Sequence, residues 1–243
     1  MSETETPETV LEAEKAPEAT TVDAPRRKGA WLGEVGLLVS RRAERLQRTR
    51  GTSSTTALLA RLRDNVGREP GVAPEIWSVT VDGVSDDARS DVPTPQERAV
   101  HAALTLYAVH QQSRDAGAHR PGIGLGQAVS RLERERGWTG KDQDEGKVSP
   151  VRRRFNAVVT STSLPELTHH LRGLVTLMRS EDVGLDYGLL ADDLAQFQRP
   201  GGQDVVRRRW GRQLHHLDAA PADPSAPTTN DSTTENALIE EDQ

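Results

Sequence analysis

The chain has no cysteine, which excludes disulfides, thiol nucleophiles and zinc–thiolate sites. Aromatic residues make up 3% of the 243 positions and hydrophobic residues 34%, so a large aromatic-rich core is excluded as well. This length suits one domain, or at most two. No segment reaches the roughly 18 consecutive apolar residues of a membrane span. Met1 to Asp23 is acidic and lacks an apolar stretch, unlike a secretory signal. These absences predict a cytoplasmic protein with no membrane partner. Neither a phosphate-binding P-loop nor a G-x-S-x-G nucleophile elbow is present. Lysine is scarce too: Lys15, Lys28, Lys141 and Lys147 are the only lysines among 31 basic residues, so the positive charge is almost all arginine.

The net charge of -6 is unevenly spread. Residues 1–25 carry seven acids and one base, and residues 218–243 carry seven acids and no base. The segment 26–217 therefore carries +7. An electropositive core between acidic tails attracts polyanions. The tails are rich in Glu, Thr, Pro and Ala and cannot bury enough apolar area to offset ordering entropy. The composition thus predicts disorder over 1–28 and 218–243, flanking a folded core over 29–217. The tails are expected to aid solubility or to screen the basic core.

Helix signals recur through that core. Trp31, Leu32, Val35, Leu38, Val39 and Leu46 follow helical spacing up to about Arg48. A second helix is expected from about Thr52 to Val66. Ile76, Trp77, Val79 and Val81 form a short apolar segment that suits a strand or a helical turn. Residues 82–93 form an acidic loop. Thr94-Pro95-Gln96-Glu97 reads as a capping box opening a helix to about Gln112, with Ala103, Leu104 and Tyr107 inward. Gly122 to Gly126 leads into a helix ending near Arg136, and a Gly/Asp/Lys-rich loop follows to Val148. Ser149-Pro150 opens the next helix, and Ser163 with Glu166 forms a second capping box for a helix to about Arg179. Asp186 caps a helix through Phe197, and Pro200-Gly201-Gly202 separates it from a last helix to about Leu217. The fold class is all-α, a bundle of about eight helices.

Catalytic signals are weak. Gly122-Ile123-Gly124-Leu125-Gly126 lacks the preceding strand and the wider third spacing of a dinucleotide loop, so helix entry is the better reading. His169-His170 and His215-His216 are adjacent pairs, whose rings point about 100° apart on a helix and suit a shared metal poorly. Asp192-Asp193 reads as a solvated helix face. The chain is expected to be no enzyme and to need no cofactor or metal.

The basic clusters say more. Val151, Phe155, Val158 and Val159 share one helical face, which turns Arg153 away from it and places Arg152 and Arg154 on its flanks. Val206, Trp210, Leu214 and Leu217 form a second buried stripe, with Arg208 and Arg212 projecting together opposite. Arg41, Arg42, Arg45, Arg48, Arg61 and Arg63 add further charge. A guanidinium binds phosphate through a bidentate fork, which suits backbone contact without base readout. Glu133, Glu135 and Asp193 are expected to neutralise some of these arginines as weak surface pairs. A helical adaptor whose arginine face meets an acidic protein is the competing interpretation. A steep fall of affinity with salt distinguishes nucleic acid from it.

Several segments together resemble the CasB family, the small subunit of the type I-E CRISPR surveillance complex Cascade. They are Ala57 to Arg63 with the following Gly/Pro loop and Trp77, Gly122 to Ala128, and Val148 to Val159. The series continues with Leu171 to Val175, Leu185 to Leu194, and Val205 to Trp210. They occur in the family's order over roughly residues 30–217. The resemblance implies a helical, non-catalytic subunit in antiviral defence that pairs with a second copy of itself. It implies contact with guide RNA and target DNA backbones, beside other Cascade subunits, and stabilisation of the R-loop. On this resemblance Arg61, Arg63, Lys147, Arg152, Arg153, Arg207 and Arg208 occupy the family's basic positions, and the helical wheel adds Arg212. Gln127 and Gly173 stand where some relatives carry basic residues, and His215-His216 stands where aromatics are frequent.

Overall fold

The computed structural model describes residues 32–84, 91–138 and 147–215. The two acidic tails, Trp31, His216, Leu217, and the middle of both the acidic loop and the Gly/Asp/Lys-rich loop lie outside the described residues. The described residues form nine α-helices: α1 (Glu34–Arg48), α2 (Ser53–Asp64), α3 (Trp77–Thr80), α4 (Pro95–Gln111), α5 (Leu125–Glu135), α6 (Pro150–Thr160), α7 (Leu164–Ser180), α8 (Tyr187–Phe197) and α9 (Gly202–His215). The short apolar segment is helical, a 3-10 turn (Pro74–Ile76) running into α3. Among the described residues, strand-like pairing is confined to one isolated bridge between His119 and Leu185.

The helix starts lie where the capping residues set them. At α4 both bonds of the capping box form: Glu97 N–H donates to Thr94 Oγ1 (3.2 Å), and Thr94 N–H donates to the Glu97 carboxylate (2.6 Å). Ser149 Oγ accepts from Arg152 N–H (2.8 Å) at the start of α6. At α7 only half of the expected box forms. Ser163 Oγ accepts from Glu166 N–H, but the Glu166 carboxylate reaches one residue further back, to Thr162 N–H (2.9 Å). That bond pulls its pKa below the usual carboxylate range.

α4 is the axis of the bundle. All thirteen residues from Ala99 to Gln111 are buried, because α1, α2, α3, α7 and α8 pack around it. A helix covered on every side can carry apolar residues all round. Tyr107 meets Tyr187 of α8 edge to face, with ring centroids 5.3 Å apart. Around this axis α8 lies against both α1 and α9, α9 lies against α5, and α6 lies between α5 and α7.

Two crossings depend on small residues. A Cβ on Gly36 would sit 2.8 Å from the Gly188 carbonyl, and one on Gly188 would sit 2.7 Å from the Gly36 carbonyl, so α1 and α8 touch backbone to backbone. A Cβ on Gly126 would sit 2.2 Å from the Trp210 carbonyl, where α5 meets α9. The Gly122-Ile123-Gly124-Leu125-Gly126 motif is thus a helix entry and a packing contact. Gln127 completes it by accepting from Gly124 N–H (3.0 Å).

Candidate nucleic-acid interface

The arginine triplet of α6 divides by helical phase. Val151, Phe155 and Val158 are buried, Val159 is half-buried, and Arg153 and Arg154 are exposed. Arg152 turns back to grip Glu133 of α5 with two bonds (3.2 and 2.6 Å). Glu133 is only 4% exposed and also accepts from the Ser149 hydroxyl. The expectation of a weak surface pair is therefore corrected at Glu133, whose carboxylate is buried and satisfied by a bidentate guanidinium and a hydroxyl.

The triplet of α9 divides in the same way. Arg207 Nε donates to the Val159 carbonyl (2.7 Å), and its Nη2 donates to the Ser161 carbonyl (3.0 Å). These carbonyls lie at the C-terminal end of α6, where no intrahelical donor remains. Arg207 therefore ties α9 to α6. Arg209 pairs with Asp193 of α8, and Trp210 Nε1–H donates to the other oxygen of the same carboxylate (2.6 Å). Between them, Arg208 is exposed, and Arg212 is exposed one turn further on. Arg153, Arg208 and Arg212 make no side-chain hydrogen bond or ion pair among the described residues.

The structure thus brings Arg152, Arg153, Arg207, Arg208 and Arg212 onto two linked helices, with Lys147 exposed just before α6. Arg152 and Arg207 are bound internally. Arg61 is exposed and Arg63 half-buried on α2, which packs on α4 and the 3-10 turn instead.

The expectation of a solvated Asp192-Asp193 face is overturned. Asp193 is 2% exposed, and burial raises its pKa to about 6 against the opposing pull of Arg209 and Trp210. Asp192 accepts from Gly33 N–H (2.7 Å) and Gly36 N–H (2.8 Å) at the start of α1, and burial raises its pKa too. The two adjacent carboxylates clamp α8 to α1 on one flank and to α9 on the other. Their partners are distant in sequence, so local pattern gave no sign of them.

Sequence reasoning also passed over three buried histidines. Arg114 donates to His110 Nε2 (2.6 Å), so Nδ1 carries the ring proton and donates to Tyr187 Oη (2.9 Å). Burial, followed by the Arg114 charge, pushes the His110 pKa down to about 3. His119 Nδ1 accepts from Tyr187 N–H (3.0 Å), which leaves Nε2–H to donate to Ser40 Oγ (3.1 Å). His101 lies against the Asn65 carbonyl (3.1 Å), and burial lowers its pKa. His110 and His119 join α1, α4 and α8 in the core, and His101 ties α4 to the end of α2. The adjacent pair His169-His170 lies on the outer side of α7, with the two rings 5.4 Å apart. No cluster of three or more His, Cys, Asp or Glu suited to a metal occurs among the described residues. No helix among them is long and apolar enough to cross a membrane.

These features define an all-α protein that holds unpaired arginines outward on a rigid helical frame. Residues 58–215 match the family described as CRISPR-associated protein Cse2 (CRISPR_cse2), and the chain belongs to that family. It is similar to CasB from Thermobifida fusca, with 36% identity over 76% of this chain and 99% of that one, and a TM-score of 0.59. A Cse2-family CRISPR-associated protein from Thermus thermophilus shares the fold at 24% identity, covering 72% of this chain and 96% of that one, with a TM-score of 0.51. A chain of a CRISPR RNA-guided surveillance complex shares it at 22% identity, covering 75% and 96%, with a TM-score of 0.54. No curated protein matches the chain.

Proposed function

We propose that this protein is the non-catalytic small subunit of a type I-E Cascade surveillance complex. In it, the arginine face of α6 and α9 holds guide RNA and target DNA by their backbones. Membership of the Cse2 family supports the assembly. The observation that carries the contact is the set of outward, unpaired arginines Arg153, Arg208 and Arg212 on two helices tied together by Arg207. Guanidinium forks on a rigid scaffold neutralise phosphates without reading bases. Base pairing supplies the sequence reading, and such contacts tip a nearly balanced strand exchange toward the R-loop. Other Cascade subunits and a second copy of this chain complete the assembly. Arg61, Arg63 and Lys147 extend the basic surface, whereas Arg152 and Arg207 act chiefly by fixing the helices that carry it.

The test compares the wild type with Arg153→Glu and Arg208→Glu across unrelated nucleic-acid sequences. Affinity should fall by a similar factor for every sequence, with helicity unchanged in circular dichroism. Unchanged affinity in both variants would exclude α6 and α9 as the contact face.

A further inference from the structure

We infer that the outer face of α1 is a second phosphate-binding track, formed by Arg41, Arg45 and Arg48 and separate from the α6–α9 face. The helix buries Gly36, Val39, Ser40, Ala43 and Leu46. Past its first turn, its exposed residues are these three arginines and no others. None of the three makes a side-chain hydrogen bond or ion pair among the described residues. Arg42, by contrast, is turned inward onto the carbonyls of Val79 (3.1 Å) and Asp82.

A rise of 1.5 Å per residue sets Arg41 and Arg45 about 6 Å apart along the axis, and Arg45 and Arg48 about 4.5 Å apart. The row spans about 10 Å, enough for several phosphates of a strand that carries one charge per roughly 3.4 Å of duplex axis. Among the described residues, α1 carries no aromatic on which a base could stack, so its ligand is the backbone. An acidic protein partner fits less well, because interface arginines work beside aromatic or apolar residues that exclude water, and past its first turn α1 exposes none. The negative end of the helix dipole favours basic residues in the last turn, where Arg45 and Arg48 lie. That field fades within a turn and does not account for Arg41.

The inference rests on the reading of the chain as a backbone binder, and its test separates the two. Binding of the full chain to random-sequence single-stranded DNA is measured against salt for the wild type and two triple variants. One is Arg41→Gln/Arg45→Gln/Arg48→Gln and the other Arg153→Gln/Arg208→Gln/Arg212→Gln. Each phosphate contact adds about 0.7 to the slope of log affinity against log salt, so the α1 triple should lose about 2. The second triple should lose its own share, and the two losses should add. An Arg41→Lys/Arg45→Lys/Arg48→Lys variant should keep the slope, which separates lost charge from a disturbed helix. An unchanged slope in the Gln triple of α1, with a loss in the other triple, would overturn the second track and leave the proposed function standing. So would loss of a co-purifying protein at an unchanged slope, which would identify an acidic partner instead. No binding by the wild type at low salt would overturn both.

Discussion

Asp193 shows at the scale of one residue how the frame is held. Its carboxylate serves the Arg209 guanidinium and the Trp210 indole at once. Arg209 is partly open to solvent, so screening limits what the ion pair adds. The indole N–H is buried and has no substitute acceptor, and orphaning such a donor costs about 1–3 kcal/mol. Asp193→Ala should lower the free energy of unfolding by about that amount in urea titrations. pH dependence gives a second check. His110 titrates near 3 in the fold and near 6.5 unfolded, so between these values the unfolded chain binds the extra proton and stability falls on acidification. Asp193 titrates near 6 in the fold against an ordinary 3.8, so between these values the folded chain binds the extra proton and stability rises on acidification. The two effects oppose each other between about pH 4 and 6. Asp193→Asn removes the second, so the variant should lose stability on acidification through this window more steeply than the wild type, by up to about 1.4 kcal/mol per pH unit. Parallel curves for the two proteins would show that the Asp193 carboxyl is not raised.

The elements divide into parts that local sequence specifies and parts it does not. Thr94 with Glu97, Ser149 with Pro150, and Asp186 each announce a helix start, because a cap is made within three residues of itself. The outward phase of Arg153, Arg208 and Arg212 was legible for the same reason, since a helix turns 100° per residue wherever it sits. The inward roles of Arg152, Arg207 and Arg209 were not. Glu133, the Val159 carbonyl and Asp193 become their partners only when α5, α6, α8 and α9 meet. This contrast is measurable. Arg207→Ala removes both ties to the end of α6 and should lower stability by about 1 kcal/mol. Arg208→Ala, one residue on, should stay within about 0.5 kcal/mol of the wild type in thermal melts.

Across the whole molecule, uneven charge pointed to a basic core before any helix was placed. The pairs Arg152–Glu133 and Arg209–Asp193 remove one charge of each sign, so they leave the +7 between residues 26 and 217 intact and decide instead which arginines face outward. The remaining outward arginines are borne on helices locked by internal polar contacts, an arrangement that suits backbone grip within an assembly. The most direct measurement is co-purification of a tagged copy from its native host, with the bound RNA sequenced and the bound proteins identified. Repeat-spacer CRISPR RNA recovered together with several distinct subunits is the expected result. Protein partners recovered without such RNA would contradict the assignment to a nucleic-acid-holding Cascade subunit and favour an adaptor that meets an acidic protein.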